Sequence, residues 1–154
     1  MRPLIAALVL LVVAAMGAAC LGGSAPDALY PTVDISVDGE ELRVEVVHLP
    51  LQRQQGLMLR QALGDSAGML FLFPDDRTGG FWMKDTYLPL DIAFIDADWN
   101  VVDVLAGEPL DLTLLVPSGP YRYVLEVNRG WFEEHGIAAG AKVTAPVEEL
   151  PTPE

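Results

Sequence analysis

Hydrophobic and polar residues alternate most cleanly in "VDISVDGEELRVEVV" (33–47), where two β-rich runs flank Asp38-Gly39. That dipeptide suits a tight hairpin turn because glycine takes positive φ at little cost, so the pattern predicts two antiparallel strands. "PLQRQQGLMLR" (50–60) opens on proline and runs on in Gln and Leu, predicting a short helix that ends near Gly56. "GMLFLF" (68–73) is a continuous apolar run of strand length, and "PDDRTGG" (74–80) reads as the loop that closes it. Strands are predicted next at about 81–84 and 91–96, split by "DTYLP", before "ADWN" (97–100) turns the chain into "VVDVL" (101–105). "AGEPLDLTLLVPSGP" (106–120) is connection with one short extended piece. "YRYVLEVN" (121–128) is a strand, "RGWFEEHG" (129–136) a helical turn or two, and "AGAKVTAPV" (139–147) a last strand. The sum is an α+β domain of seven or eight short strands and two short helices, mainly antiparallel, forming a strongly bent sheet or partial β-barrel.

The ends read differently. "MRPLIAALVLLVVAAMGAAC" (1–20) has one Arg before an apolar run from Leu4 to Ala19, too short for a spanning helix and closed by small residues, as an export signal is. Residues 1–19 are therefore expected to be a signal peptide. "GAAC" supplies the small residues a lipoprotein signal peptidase needs before a cysteine, making Cys20 the expected lipidation site. The alternative is plain cleavage and secretion. Cys20 is the only cysteine, so no disulfide can form within the chain. Residues 20–32, containing "LGGSAPDALYPT", read as a flexible tether, 33–147 as one globular domain and 148–154 as an acidic tail.

Charge narrows the partners. The 154 residues carry 22 acidic and 9 basic side chains, a formal net charge of −13, and removal of 1–19 takes away Arg2 alone. A surface this negative repels phosphate backbones and anionic headgroups. Nucleic acid is not an expected partner, and membrane association is expected through the lipid only.

The chain has no P-loop, dinucleotide fingerprint, Cys/His metal spacing or nucleophile elbow. Its chemistry concentrates in "FWMKDTYLPLDIAFID" (81–96). On extended backbone, Phe81 and Met83 would face one side and Trp82 and Lys84 the other. Asp91, Ala93 and Ile95 would share a face, as would Arg122, Val124, Glu126 and Asn128 on the later strand. Burying Lys84, Asp91 or Glu126 without a partner costs several kcal/mol, on the order of 2–7 for a neutral polar group and more for a charge. One solution is that Lys84 pairs with Asp91 or Glu126. The other is a ligand pocket with Trp82 as a flat wall and Lys84, Asp85, Asp91, Glu126 and Asn128 as polar pegs, a make-up suited to a sugar or polyol. Two carboxylates could alternatively perform acid/base hydrolysis if they lay close together. Met58, Met69 and Met83 are soft donors that could hold Cu(I), although methionines also plug irregular cores.

"QGLMLR" (55–60), "GMLFLF" (68–73), "FWMKDTYLPLDIAFID" (81–96), "YVLEVNRG" (123–130) and "GIAAGAKV" (136–143), in this order, resemble the uncharacterised bacterial and archaeal family called domain of unknown function 192. The resemblance spans nearly all of the chain beyond residue 32 and implies a short, single-domain, often exported protein without an assigned activity. It directs attention to Arg60, Trp82, Lys84, Pro89, Asp91, Glu126, Asn128 and Gly130, which sit at matching motif positions, and it matches also at Met58, Met69 and Met83. The family's usual "WMKN" reads "WMKD" here, so Asp85 places a negative charge where an amide is usual. Together these readings lead us to expect an extracytoplasmic, lipid-anchored domain that binds a small polar, polyol- or sugar-like ligand. The binding set is Arg60, Trp82, Lys84, Asp85, Asp91, Glu126 and Asn128, with no catalytic residue, cofactor or resident metal assigned. Copper binding through the three methionines and carboxylate-based hydrolysis are the alternatives.

Overall fold

The structure, a computed structural model, describes residues 28–154. The expected signal peptide, Cys20 and the tether as far as residue 27 lie outside the described residues. Seven strands form one sheet: β1 (Thr32–Val37), β2 (Glu40–Val47), β3 (Ala67–Arg77), β4 (Leu90–Ile95), β5 (Val101–Gly107), β6 (Tyr121–Asn128) and β7 (Val143–Thr144). Two short helices, α1 (Pro50–Gln55) and α2 (Trp131–Glu134), accompany it, with a 3-10 turn at Val147–Glu149. The strand order is β5-β4-β6-β3-β2-β1-β7.

Local chemistry explains each join. Asp38 and Gly39 both take positive φ, 48° and 96°, closing the β1–β2 hairpin in the two-residue register Val37↔Glu40. After β2 the chain does not return as a hairpin, because Pro50 opens α1 with the Gln52 side-chain oxygen Oε1 accepting from the amides of His48 and Leu49. α1 ends at Gly56, whose φ of 47° lets the chain turn beside Phe71, and β3 then enters parallel to β2. That pair is the exception to the expected antiparallel pattern; the remaining pairings are antiparallel.

The two ends of the sheet approach each other. The amide of Val101 bonds to the Ala141 carbonyl at 2.9 Å, Gly140 to Val101 at 2.8 Å and Val143 to Trp99 at 2.9 Å, so the start of β5 meets the segment entering β7. The result is a curled half-barrel. One core lies inside the curl, where Val101, Ala141 and Val143 join Leu70, Leu72, Ile95, Leu125 and Val127, with Trp131 and Phe132 of α2 packed among them. A second core covers the other face: Met69, Phe71 and Phe73 of β3, Leu90, Ile92 and Phe94 of β4, and Val124 of β6. Strands β3, β4 and β6 are thus buried on both sides, which accounts for the continuous apolar run of "GMLFLF".

Several sequence expectations change. β3 runs on to Arg77 through "PDDR", which composition had marked as loop, because it continues pairing with β6 as far as Arg77↔Tyr121 across an irregular register. The predicted strand at 81–84 reduces to a single bridge, Phe81↔Leu115. Residues beyond Phe81 form a turn held by neighbouring loops: the Met83 amide bonds to Asp111, Leu110 to Thr86, and Leu59 to Asp85, at 2.8–3.0 Å. Tyr121, which strict alternation along β6 would set on the face of Leu125, packs against Phe94 and Phe73 on the other side. The stretch expected to be tether up to residue 32 already enters β1 at Thr32. Among the described residues no helix is long and apolar enough to cross a membrane.

Candidate functional site

Register decides which charged groups can meet. In β6, Glu126 lies opposite Met69 of β3 and Ile92 of β4, so it shares their face, that of the second core. Asp91 lies opposite Val127 and belongs to the face inside the curl. A full sheet therefore separates the two carboxylates, and they cannot act as a pair on one bond. The hydrolase alternative loses its geometry.

Asp91 has structural work on its own side. Its Oδ2 accepts the amides of Gly130 at 3.0 Å and Phe132 at 3.4 Å, and Oδ1 stands 3.5 Å from Nε of Arg129. The carboxylate thus holds the turn that starts α2, where Gly130 needs a φ of 89°. Arg129, which the sequence reading passed over, also donates to the carbonyls of Leu90 and Gly107 and pairs with Glu108, tying the ends of β4 and β5 together. Asn128 donates its amide to the carbonyls of Leu63 and Gly64, pinning the loop before β3.

Arg60 is committed as well. Its guanidinium grips Glu45 of β2 through two bonds, 2.5 and 2.8 Å, with both side chains about nine-tenths buried. The amides of Leu29 and Tyr30 donate to the same carboxylate. Burial disfavours the charged form of Glu45, but Arg60 and these amides outweigh it and hold its pKa below the ordinary value. Glu45 was legible as a carboxylate alternating with Val44 and Val46, yet nothing in the sequence tied it to Arg60.

Lys84 pairs with neither Asp91 nor Glu126; its ammonium sits 5.6 Å from the centroid of the Trp82 ring, in solvent. Asp85 is exposed, and its distinguishing property is a φ of 53°. Asn and Asp tolerate the left-handed region better than other side chains, so the family's usual amide and this carboxylate both satisfy the backbone. Met83 is buried below the same turn and Met69 lies beneath Glu126 in the second core, whereas Met58 borders a cavity.

That cavity is where Trp82 and Glu126 come together. It has a volume of about 310 Å³ and opens between α1, the turn after it and the 80–86 loop, over the outer face of β3. Phe71, Phe73, Phe81, Leu57 and Met58 form its apolar walls, and Trp82, 46 % exposed, stands at its mouth. Glu126 is 6 % exposed and forms no hydrogen bond or ion pair among the described residues. Burial alone pushes its pKa from the ordinary 4.5 up to about 8. Arg53 and Arg77, absent from the expected set, border the same cavity, their guanidinium carbons each 5.0 Å from the Phe73 ring centroid. The structure thus brings together Trp82 and Glu126 of the expected seven. It assigns Arg60, Asp91 and Asn128 to scaffolding and leaves Lys84 and Asp85 outside the cavity.

A curled half-barrel with a buried acid beneath an aromatic-walled cleft defines a class of small α+β domain, and its sequence places it within a family. Residues 33–145 match the family domain of unknown function 192 (DUF192), described as an uncharacterised ACR family, and the chain belongs to it. Two solved structures are similar to it. A protein from Sinorhizobium meliloti 1021 described as a candidate transcription regulator superposes with a TM-score of 0.72 at 32 % identity, over 78 % of this chain and 98 % of that one. A protein of unknown function from Novosphingobium aromaticivorans DSM 12444 gives 0.72 at 35 %, over 79 % and 93 %. No curated protein matches the chain.

Two measurements check the assignments. Arg60→Met should lose about 3–5 kcal/mol in denaturant unfolding, because it leaves Glu45 charged and unpaired. Combining it with Glu45→Gln should restore part of that loss, and a neutral single variant would remove the scaffolding role. Glu126 gives the opposite pH sign to a paired carboxylate. Since its folded pKa is raised, the unfolded chain releases the proton first, and stability falls as pH rises from about 4.5 to about 8. Glu126→Gln should therefore match wild type near pH 4.5 and exceed it progressively towards pH 8, by up to about 1.4 kcal/mol per pH unit. Parallel stability–pH curves for the two proteins would show that Glu126 is not held in an apolar setting.

Proposed function

We propose that this protein is an exported, lipid-anchored domain whose function is to bind a small polar ligand in the cleft beneath Trp82. The observation that carries the reading is Glu126, a buried acid that lines an aromatic-walled cavity and has no partner among the described residues. An unpartnered carboxyl in such a place costs folding free energy, and a ligand group that bonds to it offsets that cost. The cavity volume of about 310 Å³ lies at the lower edge of the range for small-molecule sites.

The polyol expectation rested on several polar pegs around one hollow. With Asp91 and Asn128 bonded to backbone and Lys84 and Asp85 in solvent, the arrangement favours a ligand with an apolar or flat body and few polar groups. Export and lipid attachment rest on the apolar run before "GAAC" and the lone Cys20. The net charge of −13 argues against the nucleic-acid role that the description of the Sinorhizobium relative suggests.

Thermal-shift measurements on the full chain against sugars, polyols, amines, carboxylates and metal ions are the direct test. A ligand at a hundred times its Kd stabilises by about 2.7 kcal/mol, enough to raise Tm by several degrees. We expect at least one organic compound to do so, and Trp82→Ala to abolish the effect. Silence across the panel removes the binding reading. Anchoring is tested separately: Cys20→Ser should move the protein from the membrane fraction to the soluble fraction, and unchanged partitioning would rule the lipid out.

A further inference from the structure

The outer face of β3 orders the polar groups of the cleft. Met69, Phe71 and Phe73 succeed one another on that face, at every second position. Glu126 stands directly opposite Met69. The guanidinium carbons of Arg53 and Arg77 both stand 5.0 Å from the Phe73 ring. The acid and the cations therefore mark opposite ends of the cleft, with the Phe71 ring between them. Four residues of strand at roughly 3.3 Å each put the two ends roughly 13 Å apart before side-chain reach is counted.

The two arginines are not equivalent. Arg53 is held by backbone, donating to the carbonyls of His48, Leu72 and Glu154. Arg77 is exposed and, although it lies within hydrogen-bonding reach of the Tyr121 hydroxyl, it has no carboxylate partner among the described residues, so its charge is open to an incoming anion. At the other end Glu126 has no cation or donor beside it among the described residues. A chain with a formal net charge of −13 thus keeps, among the described residues, a cation without a counter-charge at one end of its cleft and an acid without one at the other.

We propose that the cleft takes a bipolar ligand, an amine-bearing anion whose ammonium group pairs with Glu126 while its carboxylate meets Arg77 at the mouth, its hydrocarbon body lying along Phe71 and Phe81. This deepens the binding function proposed above and rests on it. The ammonium supplies the counter-charge the buried acid lacks, and an alkyl or flat chain suits walls made of Phe, Leu and Met. A guanidinium at the rim recognises a carboxylate in two-point geometry.

The test uses 8-aminooctanoate, octylamine and octanoate as probes, titrated into the full chain and followed by calorimetry, with Trp fluorescence as a second readout. The bipolar probe should bind at least tenfold more tightly than either one-ended probe. Glu126→Gln should erase its advantage over octanoate, and Arg77→Gln its advantage over octylamine. Far-UV circular dichroism establishes that both variants are folded. Equal affinity for all three probes, or a bipolar advantage that survives both substitutions, overturns the proposal. A panel compound that binds in a Trp82-dependent manner while the three probes fail would remove this inference alone. Failure of every compound removes the binding function with it.

Discussion

Strand β6 is hydrogen-bonded along both edges and covered on both faces, and the rest of the molecule is arranged around that constraint. A strand enclosed in this way has no route to water along its middle, so each polar side chain on it or on its neighbours must find a partner or remain neutral. Asn128, at the end of the strand, bonds to two loop carbonyls; Asp91, beside it on β4, bonds to two amides and approaches Arg129. Of these three, Glu126 follows the other course and lies against open space in the cleft. Its exceptional state reflects the care with which the others are satisfied.

Much of this was readable from the chain. Alternation in "LDIAFID" placed Asp91, Ala93 and Ile95 on one side and Leu90, Ile92 and Phe94 on the other, and the structure keeps that division. Asp38-Gly39 announced its hairpin through backbone chemistry that depends on two residues only. The α+β curl followed from the same local signals, and the family from the resemblance of five motifs in order. What the pattern could not carry was cross-strand register. Whether Asp91 and Glu126 share a face depends on the pairing Asp91↔Val127, a relation between residues 36 positions apart, and a shift by one would have joined them.

The cleft was hidden for a related reason. Arg77 stands in a stretch whose Pro and Asp residues resemble a loop, and it becomes strand only because β6 pairs with it. Arg53 looks like an ordinary surface residue of a short helix until Phe73 and the carbonyls around it are in place. Conversely, Trp82, Lys84 and Asp85 stood out in sequence as charges and an indole beside apolar strands. They lie on a tight turn whose unusual backbone, with Asp85 at positive φ, accounts for the composition as well as any ligand does. The one-third identity shared with the Sinorhizobium and Novosphingobium proteins brings a common fold and no assigned activity, so the chemistry of this chain rests on its own side chains.

The seam between β5 and β7 has a consequence for how these molecules treat one another. Open sheets expose rows of unpaired amides and carbonyls on which another copy can add a strand. Here Val101, the first residue of β5, spends its amide on Ala141 and its carbonyl on Gly140, Trp99 just before it accepts from Val143, and the terminal strand is two residues long. Further along β5, Asp103 accepts the Ser118 amide, setting a carboxylate on the rim that remains. Neighbouring copies would thus find little template for growing a shared sheet at that end of the half-barrel.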